Sequence, residues 1–277
     1  MFFSKLHSLY WRVINKIKRT LKRNSWKKIP SNSSTTFFKD GIQLLDPHLL
    51  GRETIKNLIS NNEVIKEALL ILKKLESNHD VEFISEFYEK GLRLYGDKWV
   101  YADINTALLG LSKIMDIENY MEIGVRRGRS LCMLGSQKKT ANLYGFDMWI
   151  EDYHNSPNPG PDFVNKELDK FDFQGKVNFI NGDSKTTVPN FFKENPNLFF
   201  DLITIDGDHS LKGAYRDIKN VLPRLKIGGA IIFDDISSHE HLYLKKLWTK
   251  EIKNKNNFYS YEFTDTGLGI AVGIKKY

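Results

Sequence analysis

From residue 119 onward, short apolar runs alternate with helix-length amphipathic stretches, and this alternation restricts the fold more than any other feature of the 277-residue chain. Strands separated by helices run mostly parallel, because each helical crossover brings the chain back to the same end of the sheet. The runs read as strands are 120–123, 142–146, 177–180, 199–205, 229–233, 258–263 and 269–274. Thr264-Asp265-Thr266-Gly267 separates the last two and reads as a hairpin-type turn, which makes that pair antiparallel. The expected fold class is therefore α/β, with a doubly wound, mostly parallel seven-stranded sheet. No internal repeat is visible.

Ahead of the sheet, residues 46–116 carry helical patterns broken by short polar stretches. One or two helices run to about residue 76, another spans 81–94, and a fourth spans 103–115 with Asp103 as its candidate N-cap. The chain is thus divided into an arm and linker over 1–39, a helical preface over 40–100 and the sheet domain over 101–277.

The charge is distributed just as unevenly. The chain has 41 Lys and Arg against 34 Asp and Glu, a formal net charge of +7. Ten of the basic residues precede Asp40, the first acid, so the remainder carries 31 basic and 34 acidic residues, a net of −3. A body of that sign is a poor surface for gripping phosphates, and nucleic acid is not expected as a partner. In the arm, Phe3, Leu6, Tyr10, Val13, Ile14, Ile17 and Leu21 recur at helical spacing opposite Lys5, Arg12, Lys16, Arg19 and Arg23. This amphipathic pattern is too interrupted to span a bilayer. Residues 1–28 suit peripheral contact with an anionic membrane, packing on the domain itself, or packing on a second subunit; an Arg-rich transit peptide is a further reading. Ser31 to Thr36 read as a polar linker. The single cysteine, Cys132, excludes a disulfide scaffold and fits a reducing compartment, so the expected location is cytoplasmic, or peripheral at the inner face of a membrane.

In parallel sheets, ligands bind outside the carboxyl ends of the strands. The first end reads Glu122-Ile123-Gly124-Val125-Arg126-Arg127-Gly128-Arg129-Ser130. Gly124 lets the chain turn sharply, and Gly128 permits close approach where the next helix begins. Its glycines lie four apart behind an acid, unlike the dinucleotide fingerprint, and a purely structural strand-to-helix turn would look similar. The second end, Gly145-Phe146-Asp147, puts a carboxylate where ribose hydroxyls could be accepted. The third, Asn181-Gly182-Asp183-Ser184, puts Asp183 either at a ligand or at an ordinary N-cap.

In this order of motifs, over residues 101–277, the sequence resembles the class I S-adenosylmethionine-dependent methyltransferases. The resemblance implies a Rossmann-like methyltransferase fold and S-adenosyl-L-methionine as cofactor. Glu122, Gly124, Gly128 and Ser130 would surround its methionine part, Asp147 its ribose, and Asp183 and Ser184 its adenine. Arg126 and Arg127 stand in the loop where many members carry small residues.

Two further strand ends carry acids. Ile205-Asp206-Gly207-Asp208-His209-Ser210 follows the fourth run and Phe233-Asp234-Asp235 the fifth. Asp206, Asp234 and Asp235 would converge there, and clustered like charges call for protonation or a cation. Oxygen-only ligands favour a hard divalent ion, Mg²⁺ first. The alternative is that Asp234 and Asp235 are solvated loop acids. This pattern is similar to metal-dependent O-methyltransferases of the macrocin and catechol types, and Asp-Gly-Asp-His-Ser to bacterial sugar members. What the resemblance implies is methylation of a sugar hydroxyl in a glycan or glycosylated metabolite, with an aromatic vicinal diol, or a non-catalytic cofactor-binding module recruited to membranes, as alternatives.

His209 is the candidate general base, since its ordinary pKa suits proton removal near neutrality; a helix cap or a cofactor contact is the alternative role, and Asp208 is the rival base. His239 and His241 are two residues apart and read as part of a surface turn. Residues 149–161 read as an irregular lid, with Trp149 and Tyr153 either stacking on an acceptor or packing beneath the loop.

Overall fold

In a computed structural model of the protein, the described residues are 13, 14, 16, 36–39, 42–45, 51–152 and 157–277. Most of the basic arm, the linker before residue 36 and residues 153–156 of the expected lid lie outside them. Val13, Ile14 and Lys16 are helical, as the arm pattern requires. Among the described residues no helix is long and apolar enough to cross a membrane.

Ahead of the helices lies a two-stranded hairpin, β1 (Thr36–Lys39) against β2 (Ile42–Leu45), across the boundary drawn from sequence between linker and helical preface, where no strand was expected. The sequence signal for it is the dipeptide Asp40-Gly41 between β-forming runs. Four helices follow: α1 (Arg52–Ser60), α2 (Asn62–Leu72), α3 (His79–Tyr95) and α4 (Ile104–Ile114). Asp103 caps α4 as expected. Its carboxylate accepts from the Asn105 and Thr106 N–H groups, and Thr106 returns a bond to the Asp103 N–H.

The main sheet then alternates with helices: β3 (Asn119–Ile123), α5 (Arg129–Gln137), β4 (Asn142–Asp147), α6 (Pro161–Asp169), β5 (Val177–Asn181), α7 (Ser184–Glu194), β6 (Phe200–Ile205), α8 (Leu211–Val221), β7 (Leu225–Phe233), α9 (Tyr243–Trp248), β8 (Phe258–Phe263) and β9 (Ile270–Lys275). The strand order is β5-β4-β3-β6-β7-β9-β8, parallel except for β9, which runs against both its neighbours. All seven expected strands are present. β7 starts four residues earlier than expected, because Lys226 is tied to buried Asp201 at 2.9 Å, while Gly228-Gly229 absorb the register shift against β6.

Period-two alternation sorts the core into two layers. Tyr120, Leu202 and Ile232 face a cluster shared with α1, α2, α4 and α5. Met121, Ile123, Ile203 and Ile231 face the opposite cluster, where buried Trp248 stacks on Phe233. The helix after β3 and the helix after β6 therefore cover opposite faces, which opens a crevice beyond the carboxyl ends of these adjacent strands.

Candidate functional site

That crevice is a cavity of about 860 Å³, lined by the ends of β3, β4, β6 and β7, by α3 and the segment before α4, and by the β8–β9 turn. Of the residues singled out from sequence, Gly124, Asp147, Asp183, Ser184, Asp206, Asp208, His209, Asp234 and Asp235 line it. Glu122, Gly128 and Ser130 do not.

Gly124 has φ +92°, and a Cβ there would come within 1.9 Å of the Asp206 carbonyl oxygen. The first and fourth strand ends touch at this point, so glycine is required by packing as well as by any ligand. Gly128, at φ +74°, starts α5 and leaves no room for a Cβ against Val164 of α6. Between the two, the Val125 and Arg126 N–H groups donate to one Asp147 oxygen at 2.8 and 2.7 Å, and the Trp149 N–H donates to the other at 2.6 Å. A carboxylate offers about four acceptor positions. Asp147 thus holds the glycine loop and keeps about one position open for a ligand hydroxyl, fewer than the two expected.

Glu122 lies behind this loop, fully buried, accepting from the hydroxyls of Tyr120 and Ser130. Burial pushes its carboxyl up to about 8, against the two hydroxyl bonds that favour the charge. It is a neutral acid at physiological pH. Asp183 caps α7 through the Lys185 N–H at 2.9 Å, and Ser184 donates at 2.8 Å to Asp217, a buried acid on α8 that burial pushes up to about 7. The third loop is thus pinned to the helix that follows the fourth strand.

The other end of the cavity is acidic. Burial, with Asp206 and Asp235 close by, pushes the Asp234 carboxyl well above its ordinary range. Asp235 is pushed up to about 6, by burial first and Asp206 second, and sits at φ +62°, an unusual conformation for a residue with a side chain. His209 bridges the group, with Nε2 3.2 Å from Asp206 and Nδ1 3.4 Å from Asp235. The bond to Asp206 raises its pKa and outweighs its partial burial. Both ring nitrogens face carboxylates, which favours the charged form of the ring. Asp208 takes a different path. Burial favours its neutral form, but the Lys185 ammonium at 2.6 Å and the Ser210 N–H outweigh that and hold it below its ordinary value. A carboxylate so well paired is a weak base.

Several cavity residues carried no clear sequence signal. Phe83 and Phe87 line it from α3, and the spacing of Asp80, Phe83 and Phe87, three and then four residues, marks one helix face. Tyr101 lines it too, stacked on Trp99 and edge-on to Phe87. His239 is exposed in a turn, as expected, but His241 turns inward. Its ring lies edge-on to His209 at 5.2 Å, and its Nδ1 is 3.0 Å from the Tyr243 hydroxyl, which donates to the His209 carbonyl at 2.8 Å. Trp149 packs edge-on against Phe179 and donates to Asn181 at 2.6 Å, so of its two readings packing is the one observed.

Among the described residues, no three His, Cys, Asp or Glu side chains are gathered at metal-ligand geometry. The chemistry of the acidic end nonetheless suits a hard cation, since it consists of mutually repelling oxygen donors. An ion there would compete with the His209 imidazolium for Asp206 and Asp235.

Residues 121–236 match a family model described as a methyltransferase domain. Solved structures share the fold. One is a TDP-rhamnose 3′-O-methyltransferase of calicheamicin biosynthesis, 18% identical, covering 77% of this chain and 93% of that one at TM-score 0.50. A second is an O-methyltransferase from Bacillus cereus in complex with SAH, 14% identical, covering 81% and 96% at TM-score 0.50. A third is TomG from Streptomyces achromogenes, an O-methyltransferase of tomaymycin synthesis in complex with SAM, 12% identical, covering 78% and 91% at TM-score 0.50. Among curated proteins no sequence matches. The sheet domain has the fold of these methyltransferases, and its residues 121–236 match a methyltransferase domain, in line with the resemblance read from the strand-end motifs.

Proposed function

We propose that the protein is an S-adenosylmethionine-dependent O-methyltransferase that acts on a sugar hydroxyl in a glycan or glycosylated metabolite, assisted by a divalent cation. The observation that carries this reading is the two-ended crevice, with the glycine turn and Asp147 at one end and the acid cluster at the other, within a methyltransferase domain. The cofactor would lie over Gly124, Asp147 and Asp183. The acceptor hydroxyl would approach from the side of Asp206, Asp235 and His209. Its oxygen forms the new C–O bond as the methyl–sulfur bond breaks, the electron pair stays on the now neutral thioether, and the proton passes to the His209 imidazole, which reacts in its neutral form. The chain's main contribution is to align the two reactants and exclude water. Asp206, Asp234 and Asp235 would hold Mg²⁺, which when bound supplies Lewis-acid polarisation of the acceptor hydroxyl.

The sugar preference draws on the structural likeness to the TDP-rhamnose enzyme. A second reading, an aromatic vicinal diol, is favoured by the aromatic wall of Phe83, Phe87 and Tyr101. Calorimetry with S-adenosylmethionine, followed by mass-spectrometric search for methylated products across both acceptor classes, tests the proposal. Tight cofactor binding without product in any class would leave a non-catalytic module. Activity is expected to fall tenfold or more in excess chelator and to return with Mg²⁺; undiminished activity in chelator removes the metal from the mechanism.

The basic arm adds a peripheral contact with anionic lipid through residues 1–28. Full-length protein is expected to sediment with anionic vesicles and to stay in solution with neutral ones. Equal sedimentation with the two would count against membrane contact.

A further inference from the structure

Outside the crevice, positive charge collects on one face of a body that holds 31 basic and 34 acidic residues. Residues 242–255 carry five lysines and a single acid, Glu251, which is buried. α9 and the wider helical turn that continues it, Thr249–Lys253, bury Leu244, Leu247, Trp248 and Ile252. The helical period leaves Lys245, Lys246 and Lys250 exposed on the other side. With Leu242, Thr249 and Asn254 they line an open groove of about 580 Å³.

α8 runs alongside in the same direction. The Tyr243 hydroxyl ties the start of α9 to the His209 carbonyl, the Lys250 ammonium lies 6.0 Å from the centre of the Tyr215 ring, and Lys219 reaches Glu251 at 3.8 Å. Leu211, Tyr215 and Lys219, spaced four apart, therefore form a stripe beside the lysines of α9. Two leucines mark the edge nearest His209, Leu211 at 53% exposed and Leu242 at 64%, and Tyr215 is 40% exposed further along. Apolar and cationic side chains are thus interleaved on one surface.

The chain itself relieves little of this charge. Lys219 and Lys250 share Glu251, and Glu240, just before the segment, faces His239 at 4.0 Å. Lys245 and Lys246 have no acidic partner among the described residues. Thr249 donates its hydroxyl to the Lys245 carbonyl, so the groove offers a ligand ammonium groups and methylenes. A phosphate surface with an apolar layer beneath it satisfies both, with the lysines at the headgroups and the leucines and Tyr215 below them. Nucleic acid presents a phosphate backbone without that layer and would leave the leucines in water.

We propose that the α8–α9 face docks on an anionic phospholipid bilayer, as a contact on the folded body separate from that of the basic arm. This contact does not depend on the reaction carried out in the crevice.

The test attaches an environment-sensitive fluorophore to the full-length protein through Leu242→Cys, the native Cys132 being buried. A second preparation carries it through Asp172→Cys, 84% exposed and just ahead of the edge strand β5, at the other end of the sheet from β8. Vesicles of phosphatidylserine and phosphatidylcholine are expected to raise emission at the first position about twofold or more and to shift it to the blue. The second position should not respond, and neither should respond to phosphatidylcholine alone. Lys245→Glu, Lys246→Glu and Lys250→Glu combined should weaken partitioning onto the mixed vesicles by roughly tenfold or more. No response at the first position, an equal response at the second, or a folded triple variant that partitions like the unaltered protein each overturns the bilayer contact. Duplex DNA that binds the unaltered protein and not the triple variant, with no response to vesicles, overturns it in favour of nucleic acid. The labelled protein keeps all its lysines, so its response decides the matter even where the triple variant fails to fold.

Discussion

Exchanging Asp206 for asparagine is expected to lower turnover by roughly 10²–10³-fold while leaving the thermal midpoint within a few degrees of the unaltered protein. The backbone of this residue is structural: its N–H donates to the Ile123 carbonyl at 2.8 Å, and its own carbonyl lies against Gly124. Asparagine keeps both arrangements. What it loses is the charge. Asp206 contributes to holding Asp234 and Asp235 above their ordinary range and His209 raised. Without that charge, both acids and the imidazole should relax toward ordinary values, so the pH profile of residual activity should shift as its height falls. Initial rates from pH 5 to 9, with scanning fluorimetry on the same samples, read both effects. Turnover equal to that of the unaltered protein would refute the assigned role.

The parts of the fold that could be read from sequence are those fixed locally. The central β-strands of the sheet are apolar runs whose burial on two faces leaves little choice of side-chain type, and Asp103 announced its helix through a cap that closes within three residues. β7 was read short because the Lys226–Asp201 pair that extends it joins residues of two different strands. The hairpin of β1 and β2 was not read because its strands are four residues each, too short for a period to show.

The site divides in the same way. Acids at strand ends are placed by the strands themselves, so Asp147, Asp183, Asp206, Asp234 and Asp235 all line the one cavity. The wall contributed by Phe83, Phe87 and Tyr101 depends on how the preface helices dock on the sheet, which no local pattern encodes. Nor does spacing reveal that His209 is engaged by carboxylates on both sides, since one partner is three residues away and the other lies just past the end of the next strand.

Replacing Glu122 with glutamine should stabilise the protein in alkaline solution, because the native acid is neutral where an unfolded one is ionised. Its carboxyl is raised from an ordinary 4.5 to about 8 in the folded protein. Between those values the folded state holds one more proton than the unfolded state, so stability falls as pH rises through this window, and the loss is complete above 8. At about 1.4 kcal/mol per pH unit the upper bound is about 5 kcal/mol, and relaxation around the charge leaves roughly 3. Glutamine does not titrate, and its amide oxygen can still accept from one of the two hydroxyls that Glu122 accepts from. The two proteins should therefore have similar midpoints at pH 5, and the variant should melt on the order of 8 °C higher at pH 9. Parallel pH slopes in the two proteins would show that Glu122 is already ionised. The substitution also separates two roles for this residue, since the family resemblance puts Glu122 around the methionine part of the cofactor, whereas here it sits behind the cavity wall, bonded to Ser130. Cofactor affinity unchanged in the stabilised variant assigns it to the wall, and affinity lost with the fold intact returns it to the cofactor.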